Sequence, residues 1–142
     1  MPRPDAALLD PARYPFACEL GTRFGDLDLN RHLNNVATTS LIEETRVRFN
    51  SQSGLAETIA GYGVVVASVN IEFLAQAFYP QPVRGLAAVA DIGRSSWTLV
   101  QLLIQDARVV TFARSILVCI RDGMSAPLPD SVRAGYEPMR LR

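Results

Sequence analysis

Residues 33–51 read Leu-Asn-Asn-Val-Ala-Thr-Thr-Ser-Leu-Ile-Glu-Glu-Thr-Arg-Val-Arg-Phe-Asn-Ser, and the reading of this run decides the fold. Leu33, Ala37, Leu41, Thr45 and Phe49 recur every fourth residue, and Val36 and Ile42 widen the row into one apolar stripe. That is the period of a helix with one buried face, so a helix is predicted over Leu33–Ser51. Asn30, Asn34 and Asn35 are available to cap its start, because a short side-chain oxygen can accept from the unpaired N–H groups there. Glu44 and Arg48 stand four apart in the favourable order on the outer face. Gly54 marks the expected exit. No other stretch has the pattern of a long helix.

Working outward, everything else reads as strand. Before the helix, Phe16, Cys18 and Leu20 alternate with Glu19 and Gly21, which predicts a strand over Tyr14–Phe24. After it come Tyr62–Phe78, Val83–Gly93, Trp97–Gln105 and Val109–Arg121, joined by short polar turns such as Asp106-Ala107-Arg108. Asp122-Gly123 ends the last strand, and one helical turn is expected around Ser131–Gly135. Residues 1–12 carry Pro2, Pro4 and Pro11 and read as a loosely held arm, and residues 125–142 as a Pro-rich tail. Short connections favour antiparallel pairing. The fold class is therefore α+β, one domain over residues 1–142, with an antiparallel five-stranded sheet wrapped around one long helix. One helix covers one sheet face, so the other face or a sheet edge is expected to meet a second copy, as a homodimer or homotetramer.

Composition narrows the chemistry. The chain has 142 residues, 14 basic against 14 acidic, one His and two Cys. Every basic residue is Arg. Without Lys, Schiff-base chemistry and a P-loop are excluded. His32, Cys18 and Cys119 are too few and too far apart for a zinc site of the usual kind, so no metal is expected. Zero net charge argues against a general nucleic-acid partner. No run reaches the ~18 apolar residues of a membrane span, and the first fifteen residues lack the apolar centre of a signal peptide, so a cytoplasmic location is the expectation.

The chemically loaded segment is Asp26–Asn35. It holds two carboxylates, three Asn and the single His, and it runs directly into the helix N-terminus. Unpaired N–H groups and about half a positive charge gather at such an end. It can hold a carbonyl oxygen as that oxygen becomes negative during acyl transfer. A carboxylate one turn upstream is placed to attack the carbonyl or to activate water. Asp28, Asn30 and His32 fall at spacing two, so in an extended loop they point the same way. Two Asp and an Asn–Asn pair exceed what one cap needs, although Asp and Asn before a helix are also ordinary capping residues.

The string Asp-Leu-Asp-Leu-Asn-Arg-His-Leu-Asn-Asn (26–35), followed by Val36 and Glu43-Glu44-Thr45-Arg46, resembles the signature of hotdog-fold acyl thioesterases. The nearest groups are the 4-hydroxybenzoyl-CoA thioesterase family and the plant acyl-ACP thioesterases. The resemblance is strongest over Thr22–Arg46. It extends to Ile92-Gly93-Arg94-Ser95-Ser96, similar to the family's Gly-x-Ser-Ser turn before a late strand, and to Pro127-Leu128-Pro129 with Arg133. It implies a hotdog fold and an acyl-CoA thioesterase with coenzyme A as part of the substrate and no separate cofactor.

Residue by residue, the resemblance implies Asp28 as nucleophile or general base. Asn30 and His32 match the Asn and His of the plant-type site, and Asn34 and Asn35 the pair that shapes the thioester-carbonyl site. Asp26 matches a less central acid and reads as structural. Gln76 stands where plant-type members use a Glu, Arg31 where many relatives have Gly, and Thr38 where many have Tyr. Arg94, Ser95 and Ser96 are candidates for binding coenzyme A phosphate, since guanidinium suits phosphate. Trp97 and Cys119 read as core, and Arg108, Arg114 and Arg121 as surface. The alternative from another class is a non-catalytic hotdog module that binds acyl-CoA or a partner protein, which Gln76 and Arg31 favour.

Overall fold

The computed structural model describes residues 3–53 and 61–142. The elements run β1 (Phe16–Leu20), α1 (Asn35–Gln52), β2 (Tyr62–Phe73), β3 (Val83–Ile92), β4 (Ser96–Gln105), β5 (Arg108–Arg121), β6 (Met124–Ser125) and α2 (Asp130–Tyr136). The strands form one antiparallel sheet in the order β1-β3-β4-β5-β2, with β6 added to the end of β5. The sheet curls around α1, which packs mainly on β3, β4 and β1. This is the sheet around one helix expected from the sequence pattern, and the hotdog arrangement that the resemblance implied.

Helix α1 starts two residues later than the apolar row suggested. Asn34 is its cap: the Asn34 Oδ1 accepts from the Ala37 N–H at 2.7 Å. Ala37, Leu41, Ile42, Thr45 and Phe49 are buried as expected, whereas Val36 is 77 % exposed. The helix sits too close to the sheet at β3 for any side chain there. A Cβ on Gly85 would overlap the Thr45 side chain, so glycine fixes the approach. The exit expected at Gly54 lies outside the described residues.

Two strands are shorter than the pattern suggested. β1 ends at Leu20, and Phe24–Asp26 form a 3-10 turn. β2 ends at Phe73, because Leu74 and Ala75 both turn their N–H to the single Val110 carbonyl, which stops the ladder. The two hairpin turns are made at Asp106-Ala107 (φ 51° and 62°) and Asp122-Gly123 (φ 52° and 78°), the left-handed pairs that suit the twist of adjoining strands. The second does more than end β5: it folds the chain back as β6.

The convex face differs most from expectation. Residues 6–13 are not a loose arm but two 3-10 turns capped by Asp5 and Asp10. Leu8 and Leu9 pack with Tyr14, Leu86, Val100, Leu102 and Phe112, and Leu141 joins them from the chain end. The Tyr14 hydroxyl donates to the Leu8 carbonyl at 2.7 Å. Part of the face that the sequence reading assigned to a second copy is thus covered by the chain's own ends. The outer edge of β2 remains without a strand partner among the described residues, and Val65, Val66, Val69 and Phe73 on it are exposed.

Candidate functional site

The Asp26–Asn35 segment is held by its own polar groups. Asp26 is buried, and its carboxylate takes the Arg23 guanidinium at 2.8 Å and the Arg23 N–H at 3.2 Å. Its carbonyl accepts from Asn34. Asp26 therefore ties the loop to the helix cap, the structural duty read from the sequence. Leu33 donates to the Ala77 carbonyl and is buried, which anchors the other end.

Between these anchors the chain makes a tight turn. The Asp28 N–H donates to His32 O (2.9 Å) and the Arg31 N–H to Asp28 O (3.0 Å). One Asp28 carboxylate oxygen accepts the backbone N–H groups of Asn30 (2.8 Å) and His32 (3.1 Å). The turn closes only because Arg31 adopts φ 63°, a left-handed conformation that side chains disfavour by ~1–2 kcal/mol. Glycine would be free of that cost. The second Asp28 oxygen has no partner among the described residues, and the side chain is exposed.

His32 and Asn30 enter this arrangement through their backbones. The His32 ring lies edge-on against Phe78 at 5.2 Å, and among the described residues neither its nitrogens nor the Asn30 amide bonds to Asp28.

The helix N-terminus opens into a cleft of about 340 Å³ lined by Asn35, Thr38, Phe73, Leu74, Gln76 and Thr111 among others. The Ala37 N–H is capped, while those of Asn35 and Val36 have no partner among the described residues. These free donors belong to the first turn of an 18-residue helix, so the dipole adds to them. Gln76 is exposed at the cleft rim, and its carbonyl accepts from Arg108 at 2.9 Å. Asp28 lines a different cavity, of about 460 Å³, with Phe24, Leu29 and Arg31. One chain thus brings Asn35 and Gln76 together but places Asp28 on the other side of the loop.

Arg94, Ser95 and Ser96 form the turn between β3 and β4, and their backbone carbonyls are fully engaged. Gly93 donates to Ser96 O, Cys119 to Ser95 O and Leu128 to Arg94 O, while the Arg133 guanidinium donates to the carbonyls of Gly93 (2.7 Å) and Arg94 (3.1 Å). The similarity to the family's Gly-x-Ser-Ser turn and its Pro-Leu-Pro tail is therefore one structural unit. It lies toward the opposite end of the sheet from the cleft: Thr111 of the cleft pairs with Leu103, seven residues along β4 from Ser96, roughly 23 Å. Trp97 and Cys119 are core, 2 % exposed each, and burial pushes the Cys119 thiol up, away from the reactive thiolate. Arg108, Arg114 and Arg121 are exposed as read.

Sequence reasoning missed Phe73, Leu74, Ala77 and Thr111 as walls of the cleft. No local pattern marks them, because the end of β2, the segment that follows it and β5 supply them from far along the chain. Among the described residues no group of three or more His, Cys, Asp or Glu is placed to hold a metal ion, and no helix is long and apolar enough to cross a membrane.

A curled sheet around a capped helix, with a polar cleft at that cap, is the hotdog architecture. The chain belongs to the thioesterase-like superfamily, whose model matches residues 22–135. No curated protein sequence matches it. Among solved structures it is similar to the PA2801 protein from Pseudomonas aeruginosa, at 27 % identity and TM-score 0.76, covering 85 % of this chain and 97 % of that one. A thioesterase complexed with coenzyme A and Zn from Thermus thermophilus is 23 % identical at TM-score 0.79, over 89 % and 95 % of the two chains. The gentisyl-coenzyme A thioesterase BH1999 is 18 % identical at TM-score 0.75, over 85 % and 99 %. Family and neighbours together support thioester hydrolase activity.

Proposed function

We propose that the protein is an acyl-CoA thioesterase that hydrolyses a thioester to free acid and coenzyme A. The observation that carries this is the cleft at the start of α1, where Asn35, whose N–H has no partner among the described residues, lines a cavity open to solvent. A carbonyl oxygen seated there gains hydrogen bonds as it becomes negative. The coenzyme A complex of the Thermus neighbour supports coenzyme A as the carrier.

In this reading Asp28 supplies the base or the nucleophile. As base it takes a proton from water, whose oxygen adds to the thioester carbon. The carbon–sulfur bond then breaks, and the proton passes to the departing sulfur. As nucleophile its free oxygen adds to the carbon instead, expels the thiolate, and water opens the resulting anhydride. The two backbone N–H groups on the other oxygen hold the carboxylate in one orientation for either role. His32 and Asn30 border this carboxylate and position it or the water.

Asp28 and Asn35 line separate cavities within one chain, so the reading includes a homodimer in which Asp28 of one copy meets the helix start of the other. The unpaired, apolar edge of β2 is the surface that suits such pairing, by antiparallel addition of a second β2. The same separation favours the second reading, a binding module that holds acyl-CoA without cleaving it.

A thiol-release screen across short, long and aromatic acyl-CoAs separates the two. Release above the uncatalysed rate with at least one thioester is expected. Binding of the panel without any release supports the module and sinks the hydrolase.

A further inference from the structure

A second cavity, of about 250 Å³, lies behind the acyl cleft and shares Leu74 and Ala75 with it as a common wall. Arg3 from the N-terminal segment and Arg108 from the start of β5 both line it. No acidic residue is among its lining, and neither guanidinium makes an ion pair among the described residues. Arg108 donates one N–H to the Gln76 carbonyl, which fixes the guanidinium beside the cleft while its other donors stay uncommitted among the described residues. Two arginines that line one cavity, neither ion-paired among the described residues, favour a local positive potential on a chain of zero net charge. A forked guanidinium is matched in shape to phosphate oxygens. The space holds several waters at ~30 Å³ each, enough for a phosphate group.

We infer that Arg3 and Arg108 form an anion subsite for the phosphates of coenzyme A, with the pantetheine arm passing over the Leu74–Ala75 wall to the cleft. This rests on the acyl-CoA reading above and assigns the phosphate contact to a different place from Arg94. The folding of the N-terminal segment onto the convex face is what brings Arg3, more than a hundred residues away in sequence, to Arg108. The N-terminal segment then helps bind substrate besides covering the sheet.

The test measures binding of coenzyme A and of pantetheine, which lacks the nucleotide and its phosphates, by titration calorimetry at low and high salt. Wild type is expected to bind coenzyme A more tightly than pantetheine, with an advantage that shrinks as salt rises. Arg3→Ala and Arg108→Ala should each lower coenzyme A affinity about tenfold, the size of a lost charged hydrogen bond, and leave pantetheine affinity within about twofold. Arg3→Glu, which reverses the charge at an exposed residue, should weaken coenzyme A binding further. Equal affinity of wild type for the two ligands, or unchanged coenzyme A affinity in both Ala variants, overturns the subsite. So does inorganic phosphate binding at the arginines with no advantage of coenzyme A over pantetheine, which would make this a free-anion site. Intact coenzyme A binding without thiol release would sink only the hydrolase reading and leave the subsite standing.

Discussion

Two turns of this molecule look alike in sequence and differ in use. The loop Asp26–Asn35 and the turn Gly93–Ser96 are both short, polar and arginine-bearing, and both lead into a regular element. At the far turn the backbone carbonyls of Gly93, Arg94, Ser95 and Ser96 are all taken, by Arg133, Leu128, Cys119 and Gly93. At the near loop one Asp28 oxygen and two helix N–H groups are left without partners among the described residues, and Asp28 and Asn35 each line a cavity. Polar groups that hold a fold are satisfied internally. The contrast is one of backbone groups, since the side chains of Arg94, Ser95 and Ser96 also have no hydrogen-bond partner among the described residues.

The largest expected contrast comes from Asp28→Asn. The amide oxygen can still accept from Asn30 and His32, so the melting temperature should stay nearly unchanged. Loss of the carboxylate should lower turnover at least about a hundredfold in a thiol-release assay. Near wild-type turnover would remove Asp28 from the chemistry and erase the difference between the two ends.

Alkaline pH should act on two buried tyrosines, Tyr14 on the convex face and Tyr136 at the far end. Burial holds the Tyr136 phenol, packed against Trp97 and Phe49, neutral well above the ordinary range near 10. The unfolded chain releases that proton first, so its contribution is intact below about pH 10. Above that, stability is lost by up to about 1.4 kcal/mol per pH unit. Tyr136→Phe should flatten the fall in urea-derived stability between about pH 10 and 11.5. An unchanged slope would show that Tyr136 ionises in the folded protein.

Arg133→Ala removes both guanidinium contacts from the far turn. Stability should drop by about 1–2 kcal/mol, while kcat for a good thioester stays close to wild type. A large loss of turnover without loss of stability would move function to the far end. The smallest effect belongs to Arg31→Gly, which relieves the left-handed strain in the near loop. Thermal or urea unfolding should show a gain of about 1 kcal/mol. Destabilisation instead would mean that the Arg31 side chain contributes more than its backbone costs.

Much of the frame was legible because its signals are local. The four-residue row from Leu33 to Phe49, the Asn34 cap, the alternation in β1 and the Asp-Gly turn after β5 each involve neighbours along the chain. The structural role of Asp26 was legible for the same reason, since Arg23 stands one turn away. Val36 was misplaced because it lies beside the buried stripe in sequence and beyond it on the helix surface. The arm was misread because its prolines suggested looseness, whereas Leu8 and Leu9 find an apolar face supplied by β3, β4 and β5.

The candidate site divides along the same line. The sequence determined which segment carries carboxylate, amide and imidazole, and that it feeds a helix N-terminus, because covalent order alone places those groups within a turn or two. Only the tertiary structure decided that Asp28 and Asn35 face different cavities, that Thr111 and Phe73 wall the cleft, that Arg94 lies at the far end of the sheet and that Arg3 meets Arg108. These relations depend on strand register and on how closely the helix approaches Gly85. Both are set by packing between residues distant in the chain, so they leave no periodic trace in the sequence.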